Sequence, residues 1–396
     1  MTLLFVQGGS RWKFDTAGNV YTDANFNDSV WRRYTDLCDE FVVLLRREEK
    51  VYSKDEASAR FNRFNTEIAH YIAVPDIYRP VKNILNFKKR RQVINKIKDA
   101  VKNSDKVIIR SLGNLYTNTA LKYARKYKKP YLVEVTGFAF DGLWYHSLRG
   151  KSVAVFKELQ YKHLMRKVPF ATYVTDSALQ KRYPCGGQTL GCSDVELPPV
   201  NPDVLKNRID KINNQSQKII LGTAAFLDVN WKGQKYVIKA IYKLKTKGCN
   251  NFEYQLIGSG SGKKLKRLIA KLNLENQVKI IGALPHDQVF DWLDSIDIYV
   301  QPSFQEGLCR AIVEAMSRAC PVACSDVGGN YELASKSKMF KKGSVKQITD
   351  ILVSYISKEV QIAEAKLSFE RVKQYDKRLL DNKRNNFYKL FISMEQ

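Results

Sequence analysis

Ten short, almost unbroken apolar runs constrain what this chain can fold into more than any other feature. The first five are LLFV, FVVLL, KVIIRS, PYLVEVTG and ATYVTD; the second five are KIILGTAAF, EYQLIGSG, VKIIGAL, IDIYVQPS and CPVACSD. A strand with one wet face alternates apolar and polar residues. A strand covered by helices on both faces is apolar throughout, as in a parallel sheet. Longer amphipathic stretches, such as KYVIKAIYKLKTKG and LKRLIAKLNL, lie between the runs. This alternation predicts an α/β fold: a doubly wound, Rossmann-like parallel sheet, built twice.

The break between the two halves is visible. LPPVNPDVLKNRIDKINNQSQK is rich in proline, asparagine and charge, which places a linker at about 196–217 between domains 1–200 and 201–396. With 396 residues, two domains of ordinary size fit the length. The tail FERVKQYDKRLLDNKRNNFYKLFISMEQ reads as helix with aromatics near its end, and is expected to pack back toward the first domain. Two such domains side by side imply a cleft, and ligands favour domain interfaces and the C-terminal ends of parallel strands. No run of eighteen apolar residues suggests a membrane span. MTLLFVQGGSRWKF reads as a buried first strand rather than a leader. The seven cysteines are scattered without a C-x-x-C pair, so reduced thiols in a cytoplasmic protein are expected; Cys185 and Cys192 could approach each other across CGGQTLG as a disulfide or metal site.

Charge is the loudest compositional signal. There are 66 Lys and Arg against 40 Asp and Glu, a net +26, spread over both halves. Such a chain attracts polyanions: nucleic acid, anionic membrane or phosphorylated ligands. In the first half, NFKKRRQVINKIKDAVKN (86–103) sets Phe87, Ile94, Ile97 and Val101 at helical spacing with a basic remainder. That pattern fits a helix lying on an anionic membrane, at the inner membrane face, and equally an ordinary helix with a solvated face. No nucleic-acid-binding motif accompanies the charge, so nucleic acid is not expected as a partner.

In PSFQEGLCRAIVEAMSRACPVACSD a strand ends, a loop follows, and a helix pattern begins. Leu308, Ala311, Ile312, Ala315 and Met316 form the stripe of a helix packed on a sheet, and Glu314 lies off it. A helix starting near Gly307, just past a strand end, presents free N–H groups to the cleft, an arrangement suited to phosphate. Gly307 lets backbone approach a ligand closely. Glu306 stands before the helix and Glu314 eight residues on, about 12 Å of helical rise. That span suits a ligand with hydroxyls at both ends and phosphates between, as in a nucleotide sugar. Alone, either glutamate reads as a solvated or dipole-satisfying side chain; together with the strand end, the glycine and the helix start they point to a site.

EGLCRAIVE has the E-x7-E spacing of the retaining GT-B glycosyltransferases, and PSFQEGLCRAIVEAMSRACPV resembles the signature block of glycosyltransferase family 4 (glycosyl transferases group 1). The likeness continues through NWKGQKYVIKAI, YQLIGSGSG, VKIIGALPHDQVFDWLDSIDIYVQPS and GGNYEL, over about 215–335; the first 200 residues show it mainly in strand pattern and VQGGS. The resemblance implies a GT-B fold, two Rossmann-like domains facing across a cleft. It implies a metal-independent hexosyltransferase taking a nucleotide-sugar donor and no cofactor, with a glycan or lipid-linked acceptor bound by the first domain. It also implies that Glu306 lies by the donor sugar and Glu314 on the ribose hydroxyls. Gly307, Leu308 and Cys309 then supply amides to the donor and Lys232 pairs with the diphosphate. Gly8 and Gly9 fall in a loop facing the phosphates, and Gly282 to His286 lie by the base.

Two departures stand out. GTAAFLDVNWKG lacks the arginine that family members commonly carry before the lysine, and Arg310 is the residue at hand to compensate. Where members have a histidine past a first-domain strand, this chain has Thr136 and Gly137, with Asp141 and His146 further along as candidate replacements. IGSGSGKK fails as a phosphate-binding P-loop, since Ile257 stands at its first glycine position and no Ser or Thr follows Lys263. No cluster has metal-ligand spacing. The reading is a retaining glycosyltransferase of cell-surface polysaccharide or glycolipid assembly. A catalytically silent sugar-nucleotide-binding protein and a sugar-nucleotide epimerase are the alternatives.

Overall fold

All ten apolar runs form strands, in two parallel sheets. The computed structural model describes residues 1–23, 26–145, 148–216 and 218–394, the side chains of residues 148, 149 and 286 excepted. The first sheet runs His70–Pro75, Glu40–Tyr52, Thr2–Asp15, Lys106–Arg110, Tyr131–Val135, Phe170–Tyr173 and Gln188–Gly191, all parallel. Val20–Thr22 and Asn62–Arg63 add a small antiparallel extension to the far end of the long first strand. The second sheet runs Val278–Gly282, Phe252–Ile257, Ile219–Ala224, Ile298–Gln301, Val322–Ser325 and Met339–Phe340, again all parallel. Strands not signalled by an apolar run are the short or edge ones, such as His70–Pro75, which ends at a proline that an edge tolerates.

The expected linker is not a loop. Helix Asp203–Asn213 occupies its middle and packs on the second domain, where the buried Arg208 donates to the carbonyls of Leu293, Ile296 and Arg318. Only Val204 and Ile212 supply its buried apolar contacts, too few to announce a helix from pattern. The last helix, Lys377–Ile392, lies against the first domain. Phe387 and Phe391 pack on Phe170, Arg384 donates to Ser193 O at 2.7 Å, and Tyr388 donates to Glu134. Glu134 sits in a strand buried on both faces and is satisfied by Tyr34, Tyr388 and Arg110. Helix Phe87–Lys102 turns Val93, Ile97 and Val101 into the core, so most of its apolar stripe serves packing and only its start, Phe87, stays exposed. All seven cysteines, Cys185 and Cys192 included, carry free thiols.

Candidate functional site

In an open parallel sheet the crevice for ligands lies where neighbouring strands send their connections in opposite directions. In the second domain that point falls between Ile219–Ala224 and Ile298–Gln301. The turn Asn230–Lys232 reaches it from the first strand and the loop 302–309 from the second. The two are stitched together: Phe304 N donates to Trp231 O at 2.7 Å. Gly233, at φ +74°, lies so close to Pro302 O that a Cβ would overlap it. A side chain at 233 would therefore push the turn off the loop.

That stitching sets Lys232 Nζ 2.7 Å from Glu306 Oε1. The same oxygen accepts from Ser303 Oγ at 2.6 Å and Gln301 Nε2 at 3.2 Å, and Gln301 Oε1 in turn accepts from the buried Tyr299 OH at 2.8 Å. The carboxylate is thus fixed by groups that are themselves fixed. Burial works against the Lys232 charge, yet the adjacent Glu306 outweighs it and holds the lysine above its ordinary range.

The helix begins at Arg310, three residues later than the sequence suggests. Gly307 O accepts from Gly329 N at 2.7 Å, and Cys309 keeps an extended backbone, so residues 307–309 form an approach to the helix rather than its first turn. The first intrahelical bonds run from Ile312 and Val313 to Cys309 O, which leaves Arg310 and Ala311 as the leading amides. Glu314 is half-buried one turn inside, so only part of the Glu306–Glu314 span is helical. Tyr299 and Cys309 lie within the field of both carboxylates. Burial first, then those negative charges, push the phenol and the thiol well up. Arg310 is exposed, and its charge is felt at Lys232 and at Asp194 of the first domain. Asp194 is held low against its burial by Arg110, Arg310 and Arg33.

Across the cleft stands the end of strand Tyr131–Val135. A Cβ on Gly307 would collide with Thr136 O, and Thr136 Oγ1 is 2.6 Å from Ser111 Oγ. The segment that replaces the family histidine therefore abuts the helix approach. Asp141, on helix Ala139–Trp144, is raised by burial against the pull of Arg182 and Lys342. Tyr145 packs edge-on against Phe304, two residues before Glu306, and accepts from Lys342. His146 lies outside the described residues.

One expectation changes. Gly8 and Gly9 are not in a loop: the strand runs on to Asp15 with a bulge between Val6 and Arg11. Arg46 donates to Gly9 O, and Gly8 is pressed against the Asn114 side chain, which a Cβ would overlap. The hairpin and the neighbouring Glu40–Tyr52 strand give the chain partners beyond the glycines, so it stays extended. Gly282 ends its strand at φ +98°, and His286 opens helix His286–Ser295; the structure describes the backbone alone at 286. Two amides of the GSGSG segment are taken by a carboxylate: Asp228 accepts from Ser261 N at 2.7 Å and Gly262 N at 2.9 Å, where a P-loop would hold phosphate. Among the described residues no group of three or more His, Cys, Asp or Glu gathers to hold a metal.

Sequence reasoning missed Glu332. From the second domain it accepts from Asp176 N, Ser177 N and Ala178 N at 2.8–3.0 Å and from Ser177 Oγ, while Tyr331 OH meets Ser177 Oγ at 2.7 Å. This one carboxylate clamps the two domains. Its signal was the final acid of GGNYEL, next to the glycines that pack on Gly307.

A family model described as glycosyl transferases group 1 matches residues 203–370. Protein CapJ of Staphylococcus aureus is 31% identical over 358 residues, covering 89% of this chain and 85% of CapJ. The amylovoran biosynthesis glycosyltransferase AmsK of Erwinia amylovora is 38% identical over 109 residues, 26% of each chain. Among solved structures, Anabaena HepE with UDP-glucose superposes over the full length of both chains with a TM-score of 0.62 at 15% identity. A likeness that distant shows the fold alone: two Rossmann-like domains in the GT-B arrangement.

Proposed function

Since the chain belongs to the group 1 glycosyl transferases, we propose that it moves a sugar from a nucleotide-sugar donor to a glycan or lipid-linked acceptor, with retention of anomeric configuration, in cell-surface polysaccharide or glycolipid assembly. The observation that carries this is the Lys232–Glu306 pair, held by Ser303 and Gln301 at the switch point of the second sheet and faced by Thr136 across the cleft. HepE is solved with UDP and with UDP-glucose, and AmsK is named for polysaccharide biosynthesis, which makes UDP-sugars the first donors to test.

On this reading the donor diphosphate lies by Lys232 and the leading amides of the Arg310 helix, with Arg310 beside it. Glu314 accepts from the ribose hydroxyls and Glu306 orients the sugar. As the bond from anomeric carbon to phosphate breaks, negative charge grows on the diphosphate. Lys232 meets it without reorganisation, because it is already charged and already pinned. Asp141, whose carboxyl is pushed up by burial, stands on the acceptor side. Lysine and amide charge compensation makes the reaction metal-independent.

The test is release of UDP from UDP-sugars, with and without bacterial glycolipid extracts, read by chromatography, with the product's anomeric configuration read by NMR. We expect acceptor-dependent UDP release, an α-linked product from an α-linked donor, and no loss on adding EDTA. Binding without release would support the silent reading, and an altered sugar still attached to UDP would identify an epimerase.

A further inference from the structure

Helix Leu148–Met165 is apolar on the wrong side as well as the right one. Ala154, Glu158, Tyr161 and Met165 form its buried face, while Val155, Phe156 and Leu159 stand out on the other, the last two 66% and 62% exposed. Helices of water-soluble domains carry polar residues there. A second exposed apolar group lies at the turn Val81–Leu85 and the residue opening the next helix, where Leu85 is 79% and Phe87 82% exposed. A cavity of about 660 Å³ is walled by residues next to both groups: Arg90 and Ile94, on the helix that Phe87 opens, and Lys157, beside Phe156. Its lining includes Asn114, the residue packed on Gly8 of the first strand.

The charge around this face is mostly positive, with Lys89 paired to the exposed Glu49 at 3.3 Å. Residues 79–98 hold eight Lys and Arg and no Asp or Glu. The helix adds Lys151, Lys157 and Lys162. Its one acid, Glu158, is buried and bonded to Arg182 and Tyr183. An exposed apolar patch of this kind marks an interaction site, and the basic rim selects among occupants. A second copy would set like charge on like charge. An anionic bilayer offers apolar depth for Phe87, Phe156 and Leu159 and negative headgroups for the rim.

We propose that this face, formed by the Val81–Phe87 segment and the outer side of helix Leu148–Met165, docks the first domain on an anionic lipid bilayer. The docked surface is not the basic helix flank that composition alone suggests, since most of that helix's apolar stripe is spent in the core. Docking would bring a membrane-borne acceptor headgroup to the acceptor side of the cleft. It does not depend on the donor reading.

The test is flotation of the nucleotide-free protein with vesicles of phosphatidylcholine alone and of phosphatidylcholine with phosphatidylglycerol. We expect binding to the anionic vesicles only, weakened by salt, and lowered at least about ten-fold in Phe156→Glu/Leu159→Glu. Val353→Glu, an exposed apolar residue elsewhere, should bind like wild type, and melting should show all variants folded. Three results would overturn the proposal: no binding to anionic vesicles, equal loss in Val353→Glu, or a patch variant that changes molar mass by light scattering while vesicle binding is kept. The last would assign the face to self-association. Since no nucleotide is present, failure here leaves the donor site untouched.

Discussion

The two sheets have the same architecture and opposite fates at their switch points. In the second, the connections after Ile219–Ala224 and Ile298–Gln301 part, and the crevice receives Lys232 and Glu306. In the first, the equivalent place lies between Thr2–Asp15 and Lys106–Arg110. There the first strand runs on through Gly8 and Gly9, and Asn114 fills the space against Gly8. A Rossmann-like sheet supplies the geometry of a crevice; the residues that follow two of its strands decide whether the crevice binds or packs. On the proposed function, the placing of the donor site in the second domain follows from that difference.

The sharpest way to break this comparison is to disable both places. Lys232→Ala removes the charge that meets the leaving diphosphate and should lower turnover by about 10²–10³. It also leaves Glu306 unpaired in a largely buried setting, at a cost of roughly 2 kcal/mol in thermal or denaturant unfolding. Asn114→Ala loses a helix N-cap, since Asn114 Oδ1 accepts from Thr117 N, and should cost about 1 kcal/mol of stability with nucleotide affinity unchanged by calorimetry. A comparable loss of nucleotide binding in both variants would show that the first switch point also serves the donor.

A smaller effect is expected at the clamp. Glu332→Ala strips three backbone N–H groups of their shared acceptor. Hydrogen exchange at residues 176–178 should rise, and turnover should fall several-fold while UDP affinity holds, because the donor rim is intact and only domain closure is loosened. Unchanged exchange there would mean the clamp does not hold the domains in solution.

The smallest effect concerns Asp141. Burial raises its folded-state pKa, so the folded state favours the protonated form and the charged form is a liability at neutral pH. That penalty grows as pH rises through the raised value and vanishes below the ordinary aspartate range near 3.8. Asp141→Asn should therefore melt slightly higher than wild type at pH 7 and equally at pH 3. If Asp141 serves the acceptor side, the same variant loses turnover while gaining stability. A gain in stability with full turnover would make Asp141 structural only.

The second-domain crevice was legible because most of its rim lies in one contiguous stretch. Strand, loop, Glu306 and Glu314 follow one another between 298 and 314, so period and spacing carry the information. The first-domain rim is assembled from Ser111, Thr136, Asp141 and Asp194, with the last helix reaching back through Tyr388 and Arg384. No local pattern encodes a contact between residues 134 and 388. The helix inside the linker was hidden because one of its three buried residues is an arginine, Arg208, whose three carbonyl partners lie 85 to 110 residues away. Gly8 and Gly9 were misplaced because a pair of glycines signals a loop unless later strands, here Glu40–Tyr52 and Val20–Thr22, keep the chain extended.

On the proposed function, a donor nucleotide lies on the second-domain rim, with its ribose on Glu314. Thermal melting of wild type and Glu314→Ala with UDP, GDP, ADP, CMP and dTDP tests it most directly. A ligand at 100 times its dissociation constant stabilises the folded state by about 2.7 kcal/mol. Loss of one charge-assisted bond, roughly 1.5 kcal/mol, weakens binding about ten-fold. We expect UDP to raise the wild-type midpoint clearly and the variant's much less, with smaller shifts for the other nucleotides. Equal shifts in wild type and variant, or no shift with any nucleotide, would contradict it.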